Sequence, residues 1–388
     1  MKIFTTRLLF IFFFVFISML IWHKFVLNDV PFRRTPDVKQ NPARSNDAAV
    51  SNADKVKQNP AKSNDPDKVK QNPATSKEIA TIEKLISKYT YKWTKHEENF
   101  KSFRSLLSSS CNAISNAVVT QENSPVGSNI SFDADKKIMK VKPDLYRIFP
   151  KESPFKKAPW DSCAVVGNGG ILAKSSCGTQ IDSSSYVIRC NLPPLSNGHE
   201  KDTGNKTSLV TANPSIFMQR YQSLSERRRP FVEDMKLYGD ALVFVPAFSF
   251  RQSTIVSLRA IYSLEEINIT GLQTIFFNPS YLLNLKRFWQ KHGIREARLS
   301  TGIMMVSLAL ELCNQVHLYG FWPFGIHPYT HQKLSNHYYD DKPANKKMHS
   351  MLAELEALMG LHIKGVIHLH LGECTNKTAQ YGQRFTDN

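Results

Sequence analysis

CAVVGNGGILAKSSCGTQIDSSSYVIRCNLPPLSNGHEKDTGNKTSLVTAN, Cys163 to Asn213, is the stretch that decides the fold. It starts with the short apolar run Cys163-Ala164-Val165-Val166, of the kind that forms a fully buried strand. That run breaks into Gly167-Asn168-Gly169-Gly170, where the backbone can turn tightly and approach a ligand closely. A second apolar run, Tyr186-Val187-Ile188, ends in Arg189-Cys190-Asn191, and a third, Ser208 to Thr211, ends in Ala212-Asn213-Pro214. Three strand-like runs, each leading into a loop that carries Asn, predict an α/β sheet with a ligand crevice at the strands' carboxyl ends. An uncharged amide both donates and accepts hydrogen bonds, which suits sugar hydroxyls and a nucleotide base.

Downstream, strand-like DALVFVPAF (240–248) and TIFFN (274–278) alternate with helix-like SLSERRRPFVEDM and YLLNLKRFWQKHG. Such alternation predicts an α/β fold with a mainly parallel sheet. Ser300-Thr301-Gly302 then opens the apolar run IMMVSLALELC, which leads into the strand QVHLYGFW (315–322). Ser or Thr before an apolar helix is an N-cap, and the free N–H groups there also bind anions. Beyond Trp322 comes a loop with His327, His331 and His337-Tyr338-Tyr339-Asp340, then a last helix carrying His349 and Glu354. Histidine serves as a general base near neutrality or steadies an anionic leaving group; surface or structural histidines are the plainer alternative. In GVIHLH, His368 and His370 share one face of a final strand. A satisfied strand face is the preferred reading over a metal pair, since no third ligand is expected near.

Upstream, EIATIEKLISKY and EENFKSFRSLLSSSCNAI have helical period. Lys136 to Lys157 holds eight Lys/Arg, a solvated face or a surface for an acidic ligand. Residues 28–76 are polar and carry a repeat, DVKQNPARSND at Asp37, DKVKQNPAKSND at Asp54 and DKVKQNPATS at Asp67. The units are nearly free of apolar residues and predict a disordered stem. Residues 8–27 form an apolar stretch behind a short tail, 1–7, with no A-x-A-like cleavage site, and are expected to be a signal anchor. The folded domain is expected over 77–388. Sequons at Asn129, Asn205, Asn268 and Asn376 all lie beyond the anchor and agree with a lumenal domain.

Composition narrows the partners. The chain has 388 residues, 41% of them apolar, and a formal charge of +17, which favours acidic partners. Anchor and sequons exclude nucleic acid by compartment. The six cysteines (111, 163, 177, 190, 313, 374) contain no C-x-x-C pair, which argues against a structural zinc site and for long-range disulfides. Gly167-Asn-Gly-Gly lacks the third glycine and the acidic residue of a dinucleotide fingerprint. Asp133-Ala-Asp135 and Asp65-Pro-Asp67 match D-x-D only by chance.

Taken together, these residues resemble a known family. CAVVGNGGIL…SCG…VIRCNLPP…KTSLVTANPS is similar to the large sialylmotif of animal sialyltransferases, and LSTGIMMVSLALELCNQVHLYGFWPF (299–324) to the small one. His337-Tyr-Tyr-Asp340 resembles the third motif and His349-x-x-x-x-Glu354 the very small one, in the family's order. RCNLPP, NPS, GFWPF and HYYD resemble the α2,8 branch, in its mono- or oligosialyl members. Asn336 departs from the His-His-Tyr-Tyr of close relatives, and Lys347-Met348-His349-Ser350-Met351-Leu352 departs from Gly-Phe-His-x-Met-Pro.

The resemblance implies a Rossmann-like α/β/α sandwich, a GT-A-like variant, in a type II Golgi membrane enzyme. It would move sialic acid from CMP-sialic acid to sialylated glycoprotein or glycolipid glycans, with inversion and without a metal or other cofactor. Carried over by position, Asn168 and Asn191 hold the CMP moiety, Ser300, Thr301 and Gly302 meet its phosphate or carboxylate, and Trp322 lines the nucleotide pocket. His337 steadies the departing phosphate, His349 is the base, and Asn213, Pro214 and Ser215 line the acceptor side. The same pattern pairs Cys163 with Cys313 and Cys177 with Cys374, leaving Cys190 a buried free thiol. An α2,3- or α2,6-linkage, an inactive sialoglycan-binding module, and a homodimer all stay open at this point.

Overall fold

Each apolar run of the deciding stretch becomes a strand that is buried on both faces. The computed structural model describes residues 73–89, 92–226, 228–266, 271–343 and 348–374, apart from the side chains of 73–75 and 348–350. The expected tail, anchor and nearly all of the stem lie outside the described residues. The first helix begins at Pro73, within the last residues of the expected stem. No helix among the described residues is long and apolar enough to cross a membrane.

Two helices come first, α1 (Pro73–Ile86) and α2 (Glu97–Cys111). The His96 imidazole caps α2 by accepting the Asn99 amide, and Glu97 and Glu98 sit where the helix dipole favours negative charge. A small antiparallel ribbon follows, β1 (Asn129–Ser131) with β2 (Ile138–Lys140). The main sheet then builds from β3 (Trp160–Val166), β4 (Tyr186–Arg189) and β5 (Leu209–Thr211). After α3 (Arg229–Lys236) come β6 (Leu242–Val245), α4 (Arg251–Glu266), β7 (Gln273–Phe276) and α5 (Pro279–Lys291). Helix α6 (Thr301–Leu312) runs straight into β8 (Cys313–Tyr319), and α7 (Met348–Ile363) leads to β9 (His368–His370).

The seven-stranded sheet has the order β7-β6-β5-β4-β3-β8-β9, and every neighbouring pair is parallel. Parallel strands need crossovers, which put helices on both faces and bury the sheet between them. On one face Cys163, Val165, Ile188, Val316 and Leu318 pack against α6. On the other, Val210, Val243 and Val245 meet Phe231, Val232 and Met235 of α3 and Val256 and Ala260 of α4. The expected α/β sandwich is therefore present. Strand order reverses between β3 and β8, the switch point at which sheets of this kind open a crevice.

Both disulfides form. Cys163–Cys313 ties β3 to β8, and Cys177–Cys374 fastens the segment after β9 near the start of the short helix Gly178–Asp182. Cys111 and Cys190 are free and buried. Two boundaries differ from the sequence reading. The helix expected from Ser223 begins only at Arg229, because Ser223 takes φ 57° and Pro230 fixes the first turn. The strand expected to reach Trp322 stops at Tyr319, where Gly320 adopts φ +73° and turns the chain across the sheet end.

Candidate active site

At the switch point the segments after β3, β4, β5 and β8 surround a cavity of about 500 Å³ together with the start of α6 and one side of α7. Asn168, Asn191, Asn213, Ser300, Thr301, Gly302, Trp322 and His337 all line it. Pro214 is buried and Ser215 exposed in the first turn of the short helix Pro214–Gln219, and neither reaches the lining. His349 lies in the first turn of α7, and its side chain is outside the described residues. Another groove, about 520 Å³ and lined by Ile138, Lys140, Arg251 and Tyr262, holds none of these residues.

The glycines after β3 serve packing. A Cβ at Gly169 would stand 2.7 Å from the Gly320 carbonyl oxygen and 3.0 Å from that of Trp322. So the loops after β3 and β8 can touch backbone to backbone, and the Gly169 amide donates to the Gly320 carbonyl at 3.0 Å. The close approach read from the sequence is to a neighbouring strand's loop. Asn168 is thereby held at the cavity wall. Its amide nitrogen donates to the Cys190 carbonyl at 2.7 Å, while its Oδ1 is buried with no partner among the described residues. That acceptor is closed to solvent, so a ligand donor reaches it only when the side chain turns toward the cavity.

A polar chain links the ends of β4 and β5 to α6. Asn191 has φ 62°, a left-handed conformation that Asn tolerates better than most residues. Its amide donates to Thr211 Oγ1 at 2.8 Å, and its Oδ1 accepts the Asn213 amide at 3.0 Å. The Asn213 side chain in turn exchanges hydrogen bonds with Thr301 Oγ1 at 3.2 Å. Ser300 caps α6 by accepting the Ile303 amide at 3.2 Å. That leaves the Thr301 and Gly302 amides without a partner among the described residues, at the positive end of a twelve-residue helix that opens on the cavity.

Glu354 of α7 receives both the Ser300 amide, at 2.8 Å, and the Ser300 hydroxyl. Burial pushes its carboxyl above the ordinary range and nearby Glu296 adds to this, against the pull of the Ser300 hydrogen bonds. Across the cavity, His337 Nδ1 meets the Asp340 carboxylate at 2.8 Å, and its ring stacks on Tyr339. Burial raises the Asp340 carboxyl, but hydrogen bonds from the His337 side chain and backbone outweigh this and hold it low. Asp340 thus favours the proton on His337 Nδ1, and Nε2 lies 3.2 Å from the side-chain amide nitrogen of Asn336, which also lines the cavity. This loop is joined to the glycine loop, since the Tyr338 amide donates to the Asn168 carbonyl at 3.0 Å.

Trp322 is almost wholly buried, its indole N–H donating to the Ile326 carbonyl at 2.8 Å, so it supports the wall more than it meets a ligand. Phe321, Asn336 and Glu354 also line the cavity, and the sequence reading assigned none of them to the donor. Cys190 borders it as a free thiol that burial pushes up to about 12, an unreactive form. Arg189 is fully buried beneath, donating to the Thr203 and Lys206 carbonyls and to Thr207 Oγ1. Asn129 and Asn205 are exposed, and the sequons at Asn268 and Asn376 lie outside the described residues. One expectation is corrected. His368 and His370 do have a third imidazole beside them, that of His317, because β8 and β9 pair with His317 opposite His368.

Residues 106–366 match the model of glycosyltransferase family 29 (sialyltransferase). The chain is 45% identical over 283 residues to "Alpha-2,8-sialyltransferase 8F" of Homo sapiens, covering 73% of this chain and 71% of that one. It is 39% identical over 300 residues to "Alpha-2,8-sialyltransferase 8E" of Homo sapiens, covering 77% and 79%. Among solved structures it is similar to a mammalian sialyltransferase in complex with Gal-beta-1-3GalNAc-ortho-nitrophenol, with a TM-score of 0.41 and 19% identity over 79% of this chain and 88% of that one. On the extent of the family match and of its similarity to these relatives, the chain belongs to glycosyltransferase family 29, the sialyltransferases.

Proposed function

We propose that the chain is an inverting α2,8-sialyltransferase that moves sialic acid from CMP-sialic acid to the terminal sialic acid of a glycoprotein or glycolipid glycan. Family membership and the α2,8 names of its relatives support the reaction. The observation that carries the site is the convergence of Asn168, Asn191, Ser300, Thr301, Gly302 and His337 on one cavity at the switch point. In this reading the unpartnered Asn168 Oδ1 takes a donor from the CMP moiety, and the Thr301 and Gly302 amides meet the donor's phosphate or carboxylate. His349 removes the proton of the acceptor hydroxyl as its oxygen attacks the anomeric carbon from the face opposite CMP. The bond from that carbon to the phosphate oxygen breaks, and CMP leaves with the electron pair. His337, its Nδ1–H held by Asp340, donates to the departing phosphate through Nε2 when the ring carries its second proton. Asn213, Pro214 and Ser215 flank the acceptor side. No step calls for a metal, so transfer is expected to proceed in a chelator. Residues 8–27 would anchor the chain in the Golgi membrane with residues 77–388 in the lumen, the stem between them.

The test is transfer by the full-length chain from CMP-sialic acid to paired sialylated and desialylated acceptors. Product on the sialylated acceptor alone is expected, and transfer to the desialylated one would overturn the linkage. His337→Ala should lower kcat by roughly 10²–10⁴, while protein that binds CMP without any turnover would indicate a binding module.

A further inference from the structure

Away from the cavity, the far edge of the sheet carries a cluster of imidazoles. His317 on β8 and His368 on β9 are register partners, and His370 follows two residues on, opposite Tyr319. Side chains in a strand alternate with period two, so all three project from one face. One ring nitrogen from each lies within 4.8 Å of the others. His317 Nδ1 and His370 Nε2 are 3.3 Å apart. Ligand nitrogens about 2.0–2.1 Å from a tetrahedral zinc ion are separated by ~3.3–3.4 Å. That pair therefore has the spacing of a ligand edge already, and a ring nitrogen of His368 lies within 4.8 Å of both.

We propose that His317, His368 and His370 bind a divalent transition-metal ion of the zinc class, joining the last two strands of the sheet. An all-imidazole set suits zinc, copper(II) or nickel(II) over calcium or magnesium, which prefer oxygen. The rings are held by neighbours. Trp93 stacks on His368 with centroids 4.6 Å apart, and Tyr319 stacks on His370 at 4.3 Å. All three histidines keep partial exposure. His362 stands beside the cluster, but its Nδ1 accepts the Leu369 amide and it belongs to the fold. None of the three ligands lines the cavity, so the ion clamps β9 to β8 and takes no part in sialyl transfer.

The experiment uses the full-length chain without a polyhistidine tag, stripped with a chelator and titrated with Co²⁺ and then Zn²⁺. One Co²⁺ per chain with the visible bands of a tetrahedral ion, displaced by Zn²⁺, is expected, together with a rise in Tm of a few degrees. His317→Ala and His368→Ala should each weaken binding by at least ~10–100-fold, the range seen when even an outer partner of a metal ligand is lost. His331→Ala, an exposed loop position, should leave it unchanged. If the alanine variants do not fold, His317→Gln and His368→Gln carry the same comparison. Folded wild-type chain that retains less than one ion, or a Co²⁺ spectrum that survives loss of both His317 and His368, would overturn the site.

Discussion

Glu354 is a carboxylate kept nearly out of water by a partner on another helix. Its two oxygens take the amide and the hydroxyl of Ser300, so the cap of α6 is itself positioned by α7. The acid is 6% exposed, and burial raises its carboxyl above the ordinary value of 4.5. A folded value above the unfolded one means that its contribution to stability is full below 4.5 and is lost as pH rises through the folded value. Glu354→Gln cannot titrate and keeps an oxygen for the Ser300 amide. Its stability relative to wild type should therefore grow as pH rises above 4.5 in urea melts. A difference that is flat with pH, or that falls, would refute this. Sequence alone pointed to Ser300 as a cap because Ser before an apolar run has a local cause. Its partner 54 residues away has none, and nothing local in the sequence joins Glu354 to that cap. Asn168, Asn191 and Asn213 were legible for the opposite reason, each following a strand whose apolar run announces where the chain must turn.

At the scale of elements, the cavity exists because the loops after β3 and β8 meet without side chains between them. Gly169→Ala would set a methyl group against two backbone carbonyls that have no side-chain freedom to move aside. A cost of ~1–3 kcal/mol is expected from such overpacking, with a loss of kcat/KM for CMP-sialic acid, since Gly169 adjoins Asn168 and bridges to His337. Gly360→Ala in α7 is the control. Nothing lies within 4 Å of its added Cβ, and it should be neutral or stabilising by up to ~1 kcal/mol. Equal destabilisation by the two substitutions would remove the steric argument. Strand existence was readable from apolar runs across the main sheet, whereas register and the small β1–β2 ribbon were not. The three-histidine cluster escaped for that reason, since His317 and His368 are 51 residues apart and become neighbours only when β8 pairs with β9.

For the whole molecule, the two disulfides close spans of 150 and 197 residues. In the chain-entropy account each contributes ~5 kcal/mol by restricting the unfolded chain. Cys163→Ser with Cys313→Ser should lower unfolding free energy by about that amount in denaturant melts, and a loss under ~1 kcal/mol would show that the unfolded chain is already constrained. The α/β/α layering itself was legible from alternating runs, because a parallel sheet must bury both faces and so leaves long apolar stretches in the sequence.

The placement of β8 beside β3 also sets a timetable for synthesis. Cys163, Cys177 and Cys190 emerge from the ribosome together, while the partner of Cys163 follows 150 residues later and that of Cys177 197 later. At about 5–20 residues per second the first wait alone lasts roughly 10–30 s. Through that interval three thiols sit close in sequence on a chain that cannot yet complete its central strand pair. Its covalent framework can be completed only after nearly the whole chain has been made.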